Sequence, residues 1–129
     1  MHLRLARRPT NLEAAHSLVI DDMLELISQG HTEALSEIIE MLSSLHKDGR
    51  GSAYVRTLKG NPFCELKSTA RGGQKGGARV YFWFLDNGDA AVVNCEYKEP
   101  DAPTSTAKIR TCLAVYNAYG DGVDVFAEP

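Results

Sequence analysis

The chain has no apolar run approaching the roughly 20 residues that a membrane-spanning helix needs. Its N-terminus, MHLRLARR, is basic, but no apolar signal-peptide core follows it. A cytoplasmic protein is therefore expected. Cysteine is scarce: Cys64, Cys95 and Cys112 are odd in number, scattered, and include no CxxC pair. Free, buried thiols are the expectation, rather than a disulfide framework. The four histidines, His2, His16, His31 and His46, all precede the strand-like half and show no HExxH or comparable ligand spacing. That pattern argues against a metal site and against a cysteine–histidine nucleophile. There is no GxSxG and no P-loop signature. The segment GGQKGG is rich in glycine, but it leads from one strand into another, so no helix N-terminus receives a phosphate there. No cofactor is implied by any motif.

Positive charge is missing from residues 11–45, which hold seven acids and no Lys or Arg. The cations sit elsewhere. Residues 1–10 carry Arg4, Arg7 and Arg8, and residues 46–81 carry eight cations against Asp48 and Glu65. Residues 82–129 are acidic again, with three cations against eight acids. The formal net charge of −3 conceals this segregation. A protein that is acidic in sum but basic over one stretch has a surface suited to an anionic partner.

At 129 residues the chain fits one domain with an ordinary core. Its folded part is expected over about residues 10–119, followed by a loose acidic tail at 120–129. Pro9-Thr10-Asn11-Leu12-Glu13 has the form of a capping box, and Leu12, Ala15, Val19, Met23, Leu26 and Ile27 recur at helical spacing. Gly30 stops this first helix. Thr32 is placed to cap a second, striped by Leu35, Ile38, Ile39, Leu42 and Leu45 and ended by Gly49. After Gly49 the period changes from 3.6 to 2. Strands are predicted over residues 53–58, 63–67, 78–85 and 90–97, with a glycine-rich loop at 68–77. Asn87-Gly88 between the last two is a strong hairpin signal. A final helix runs from Thr104 or Thr106 to about Tyr119, with Ile109, Cys112, Leu113 and Tyr116 on one face. The order α-α-β-β-β-β-α predicts an α+β domain: a four-stranded antiparallel meander with helices packed on one face.

Strand alternation sorts the third strand. Arg79, Tyr81 and Trp83 point one way, and Val80, Phe82 and Phe84 the other. If the first face is open, it offers a cation beside two rings, the chemistry that holds RNA by phosphate pairing and base stacking. If it is covered, Tyr81 and Trp83 are second-face core. Lys67, Lys98, Arg56 and Lys59 lie at strand ends and turns, and Arg71 and Lys75 lie in the glycine-rich loop, so a meander can gather them.

Taken in order, LKGNPFCELK, ARVYFWF, a hairpin and VVNCEYK resemble the RelE/HigB-like toxins of the RelE/ParE superfamily, in its phage-derived branch. Leu58, Gly60, Glu65 and Leu66 fit that family's L-x-G-x-x-x-x-E-L-R motif, with Lys67 in place of the arginine. Arg79 and Val80 fit its Y-R-V-x-Y strand, with Ala78 in place of the first aromatic, and Tyr97 stands at the aromatic of the return strand. The similarity spans roughly residues 32–118. It implies the toxin of a type II toxin–antitoxin pair: a ribosome-dependent, metal-independent mRNA endonuclease held inactive by a small helix-turn-helix antitoxin. By position it implies that Arg79 stabilises the scissile phosphate, with Lys67, Lys98 and Arg71 as the other catalytic candidates. Arg56, Lys59, Lys75, Tyr81 and Trp83 are the RNA-binding candidates. The general acid or base has no matched position; Cys95, Tyr116 and Tyr119 are the nearest groups.

Two other readings stay open. A ParE-like toxin has the same fold but binds DNA gyrase and does no RNA chemistry. A non-catalytic phage or regulatory protein would use the fold as an interaction module, with the acidic helices and tail meeting a basic partner.

Overall fold

The computed structural model describes residues 1–68, 77–100, 102 and 105–127. Its elements are β1 (Leu3–Leu5), α1 (Leu18–Ser28), α2 (Thr32–Asp48), β2 (Val55–Thr57), β3 (Cys64–Lys67), β4 (Gly77–Phe84), β5 (Ala90–Lys98) and α3 (Thr106–Gly120). A short 3₁₀ turn, Gly49–Gly51, follows α2. The five strands form one mixed sheet in the order β1-β5-β4-β3-β2. Strands β2 to β5 are the expected antiparallel meander, and β1 adds to it in parallel beside β5. The architecture is α+β, with one strand more than the sequence pattern suggests.

The N-terminal segment explains the difference. Leu3 and Leu5 pack against the core while Arg4 faces out, a three-residue alternation too short to stand out from sequence. The chain must then cross from the sheet edge to the helices, and residues 7–17 make that crossing as turns. Asn11 N–H bonds Arg8 C=O at 2.9 Å, and the Arg7 guanidinium donates to Leu12 C=O at 3.1 Å. Leu18 N–H donates to Ala6 C=O at 2.9 Å, fixing the start of α1 next to β1. This tertiary tie overrides the local Thr10–Glu13 capping pattern, and α1 begins at Leu18 rather than near Leu12. Thr32 is the first residue of α2, and His31 occupies the cap position.

Helices cover both faces of the sheet, not one. On the first face, Val19 and Leu26 of α1 and Ala34, Ile38, Met41 and Leu45 of α2 pack on Leu66, Val80, Phe82 and Val92. On the second, Cys112 and Val115 of α3 pack on Phe63, Tyr81, Trp83, Ala91 and Val93. The alternation of β4 is as expected, but both of its sides are interior. Three large apolar residues expected on the packed helix faces fall outside the core: Ile27 and Ile39 are about half exposed, and Leu113 of α3 is exposed as well.

The C-terminal segment is not loose through residue 127. Arg7 N–H donates to Val125 C=O and Ala127 N–H to Leu5 C=O, each at 2.7 Å. These bonds run along the outer edge of β1. Val125 and Phe126 are buried, and the Arg4 guanidinium lies 4.1 Å above the Phe126 ring. An otherwise bare sheet edge is thereby covered.

One irregularity positions the candidate site. Tyr81 pairs with Asn94 but Phe82 pairs with Val92, so Val93 is an extra residue in β5. This β-bulge changes the phase of β5. Beyond it Asn94, Glu96 and Lys98 share the face of Tyr81 and Arg79, while Cys95 and Tyr97 turn toward α1 and α2.

Candidate functional site

At one end of the α3-covered face, the cross-strand register gathers charge. One row across the sheet reads Arg56, Glu65, Tyr81, Asn94. The next reads Lys67, Arg79, Glu96, and Lys98 follows opposite Gly77. Side chains directly opposite on neighbouring strands stand about 5 Å apart at Cβ, so these rows interact. Four cations and two carboxylates thus share one patch, with signs that partly alternate.

Arg79 is the centre of the patch and is only 4% exposed. Its Nε lies 3.9 Å from Glu65 Oε2, and its Nη1 donates to Ala78 C=O at 3.0 Å. Tyr81 is fully buried and its hydroxyl donates to Glu96 Oε2 at 2.6 Å. Burial raises the Glu65 carboxyl above its usual range; Arg79, Lys67 and Lys98 oppose that shift and Glu96 adds to it. The Tyr81 hydroxyl is also raised, first by burial, then by its bond to Glu96 and the charges of Glu96 and Glu65. Glu65 is therefore a carboxyl that holds its proton more tightly than an exposed glutamate does, set among cations.

Lys67 and Lys98 are half-buried beside this cluster, and Arg56 is exposed on the edge strand. Arg56 also donates to the carbonyls of Ala53 and Val55. Lys59 is exposed in the β2–β3 turn and lies apart from the cluster. With Leu58, Asn61, Thr106 and Ile109 it lines a separate open cavity of about 320 Å³ near the start of α3. Arg71 and Lys75 lie outside the described residues.

Tyr81 and Trp83 require a correction. They do not form an open stacking face, because α3 covers them: Tyr81 is 0% and Trp83 4% exposed. The Trp83 ring meets Tyr116 edge-on at 5.2 Å and Tyr119 at 5.6 Å. The open-face expectation fails because α3 presents Cys112 and Val115 to this side of the sheet instead of joining α1 and α2.

None of the three nearest acid–base candidates joins the cluster. Cys95 faces the other side of the sheet, and burial together with Asp22 pushes its thiol up to about 12. Tyr116 and Tyr119 lie at the far end of α3 against Trp83. Glu65 was visible in the sequence as a motif residue, but its position beside Arg79 depends on strand register. Glu96 was hidden further, because its facing depends on the bulge. Among the described residues no group of three or more His, Cys, Asp and Glu side chains could hold a metal ion. None of their helices is long and apolar enough to cross a membrane.

No protein-family model matches the chain, and neither a curated protein nor a solved structure is significantly similar to it.

Proposed function

We propose that the chain is an RNA-cleaving toxin of the RelE/HigB-like kind. It would act in the cytoplasm on ribosome-bound mRNA and be silenced by a small helix-turn-helix antitoxin. The observation that carries this reading is the convergence of Arg56, Lys67, Arg79 and Lys98 with Glu65, whose pKa burial raises, on one end of the sheet. Metal-independent RNA cleavage asks for such a set. The 2′-hydroxyl oxygen attacks the adjacent phosphorus, the bond to the 5′-oxygen breaks, and one proton leaves the nucleophile while another reaches the leaving oxygen. Oriented cations offset the charge that builds on the phosphate, each worth on the order of 3 kcal/mol in a water-poor site. A carboxyl of raised pKa is a suitable proton carrier. Arg56 is exposed and Lys67 and Lys98 are half-buried, so these three, unlike the enclosed Arg79, are open to a phosphate.

The test is induction in a bacterium with transcript ends mapped, comparing the native chain with Lys67→Ala and Lys98→Ala. Cleavage should fall by about a hundredfold in each variant while the protein still accumulates folded. Intact messages with the native chain overturn the reading. Intact messages accompanied by a DNA-damage response point instead to the gyrase-binding alternative.

A second reading has one observation in its favour. Arg79, the residue assigned to the scissile phosphate, is enclosed and faces Glu65. An internal ion pair of this kind suits a non-catalytic interaction protein on the same fold. Salt-sensitive binding to a basic partner, without toxicity, would support it.

A further inference from the structure

The second half of β5 has an edge that no strand covers among the described residues. β1 pairs with β5 only from Ala90 to Val92, and its last bond along that edge is Ala6 N–H to Val92 C=O at 3.0 Å. Residues 94–98 continue beyond it. The direction of their backbone groups follows from one contact: Cys95 N–H donates to Asp22 Oδ2 of α1 at 3.1 Å, away from β4. Backbone groups alternate along an antiparallel strand. Tyr97 therefore also turns its N–H and C=O toward the open edge.

A groove of about 170 Å³ runs along this edge, between the second half of α1 and the start of α3. Its walls include Asp22, Glu25, His31, Glu96, Tyr97 and Lys108. Lys108 Nζ is held by Asp22 Oδ1 at 2.7 Å, so these two charges offset each other. Glu25 adds a further negative charge to the groove, whereas Glu96 at its rim belongs to the Tyr81–Arg79 cluster. The His31 ring lies 4.6 Å from the Tyr97 ring, making an aromatic shelf beside the edge.

We propose that this edge docks a short extended segment of a partner protein that carries lysine or arginine. The segment would extend the line that β1 begins, exchanging backbone hydrogen bonds with Cys95 C=O and Tyr97 N–H. One of its cationic side chains would lie over the Tyr97 ring beside Glu25. Main-chain pairing gives such a site affinity and the side-chain pocket gives it selectivity. Asp22 already occupies the place of an incoming carbonyl at Cys95, which limits the pairing to the stretch around Tyr97. The groove is small, so the contact is weak and reversible. This inference does not depend on the nuclease reading, because it uses the opposite edge of β5 and the acidic helix α1.

The probe is a short fluorescein-labelled peptide of alternating lysine and valine, titrated against the full chain by fluorescence anisotropy and by amide NMR. Binding should shift the Tyr97 amide, weaken with added salt, and weaken about tenfold in Glu25→Lys. The same peptide with glutamate for lysine, or with N-methylated backbone amides, should not bind. Equal binding of either control peptide, or a Tyr97 amide that does not move, overturns the proposal. If Tyr97 shifts with protein concentration alone, the occupant is a second copy of the chain, and the assignment to a basic partner is likewise overturned.

Discussion

The hydroxyl of Tyr81 donates to Glu96 across 2.6 Å, joining the centre of the sheet to the charged end of its α3-covered face. The bond forms because a bulge in β5 brings Asn94 opposite Tyr81 and leaves Glu96 one position along the same face. It ties an apolar core to a polar cluster through one residue that belongs to both.

Tyr81→Phe removes that donor while keeping the ring. It should cost about 1–2 kcal/mol, because the Glu96 carboxylate loses its short partner in a partly covered site. Urea unfolding measures it directly, as a lower midpoint with an unchanged slope. An unchanged midpoint would mean that water replaces the hydroxyl without loss.

Glu65 gives stability a specific pH dependence. Its folded pKa is raised by burial, so the folded chain binds the proton more tightly than the unfolded chain. By linkage, its contribution is most favourable below the ordinary glutamate value and is lost as pH rises through the raised one. Glu65→Gln should remove this part of the slope over the range from the ordinary glutamate pKa upward. Unfolding curves for both proteins across that range decide it; parallel pH profiles would show that Glu65 is not so perturbed.

Arg79 sits almost without solvent beside Glu65, so its loss leaves a carboxylate without its nearest counter-charge. Arg79→Ala should destabilise by about 3 kcal/mol or more. Adding Glu65→Gln to it should recover part of that loss, and a double-mutant cycle would give the coupling. Additive losses would show that the pair is only adjacent. For the same reason Arg79→Ala alone is a poor test of activity, and Lys67 and Lys98 are better ones.

Trp83 is the chain's single tryptophan, which makes the position of α3 easy to check. Enclosed by Tyr116 and Tyr119, it should emit at short wavelength and resist acrylamide quenching until the protein unfolds. Trp83→Ala should cost about 3–5 kcal/mol. Ready quenching in the folded state would mean that α3 does not cover the sheet.

Much of this molecule can be read from its residues, for definite reasons. The stripe of α2, the Asn87-Gly88 turn and the alternation of β4 are local patterns, and local patterns determine local structure. The facing of Val80 and Phe82 against Arg79, Tyr81 and Trp83 follows from the pleat alone. Which layer covers each face does not. Ile109, Cys112, Leu113 and Tyr116 mark an apolar side of α3, but not which side of the sheet receives it, and the buried pair is Cys112 and Val115. β1 has no local signature, because three residues with one outward arginine make no pattern and its pairing with Ala90–Val92 is long-range. At the site, Arg79 and Lys67 were evident as cations. Their grouping with Glu96 depends on a register change that no residue in AVVNCEYK announces.

That register change has a consequence for how β5 can vary in length. Side chains on a regular strand invert their facing whenever a residue is gained or lost. At the bulge the opposite holds. A chain without Val93 would pair evenly with β4 and still turn Asn94, Glu96 and Lys98 to the same side, at the cost of one buried side chain. This is the position in the sheet where a one-residue deletion leaves the charged end in place, whereas the same deletion at Cys95 would bring Tyr97 to the α3 side and turn Glu96 and Lys98 away.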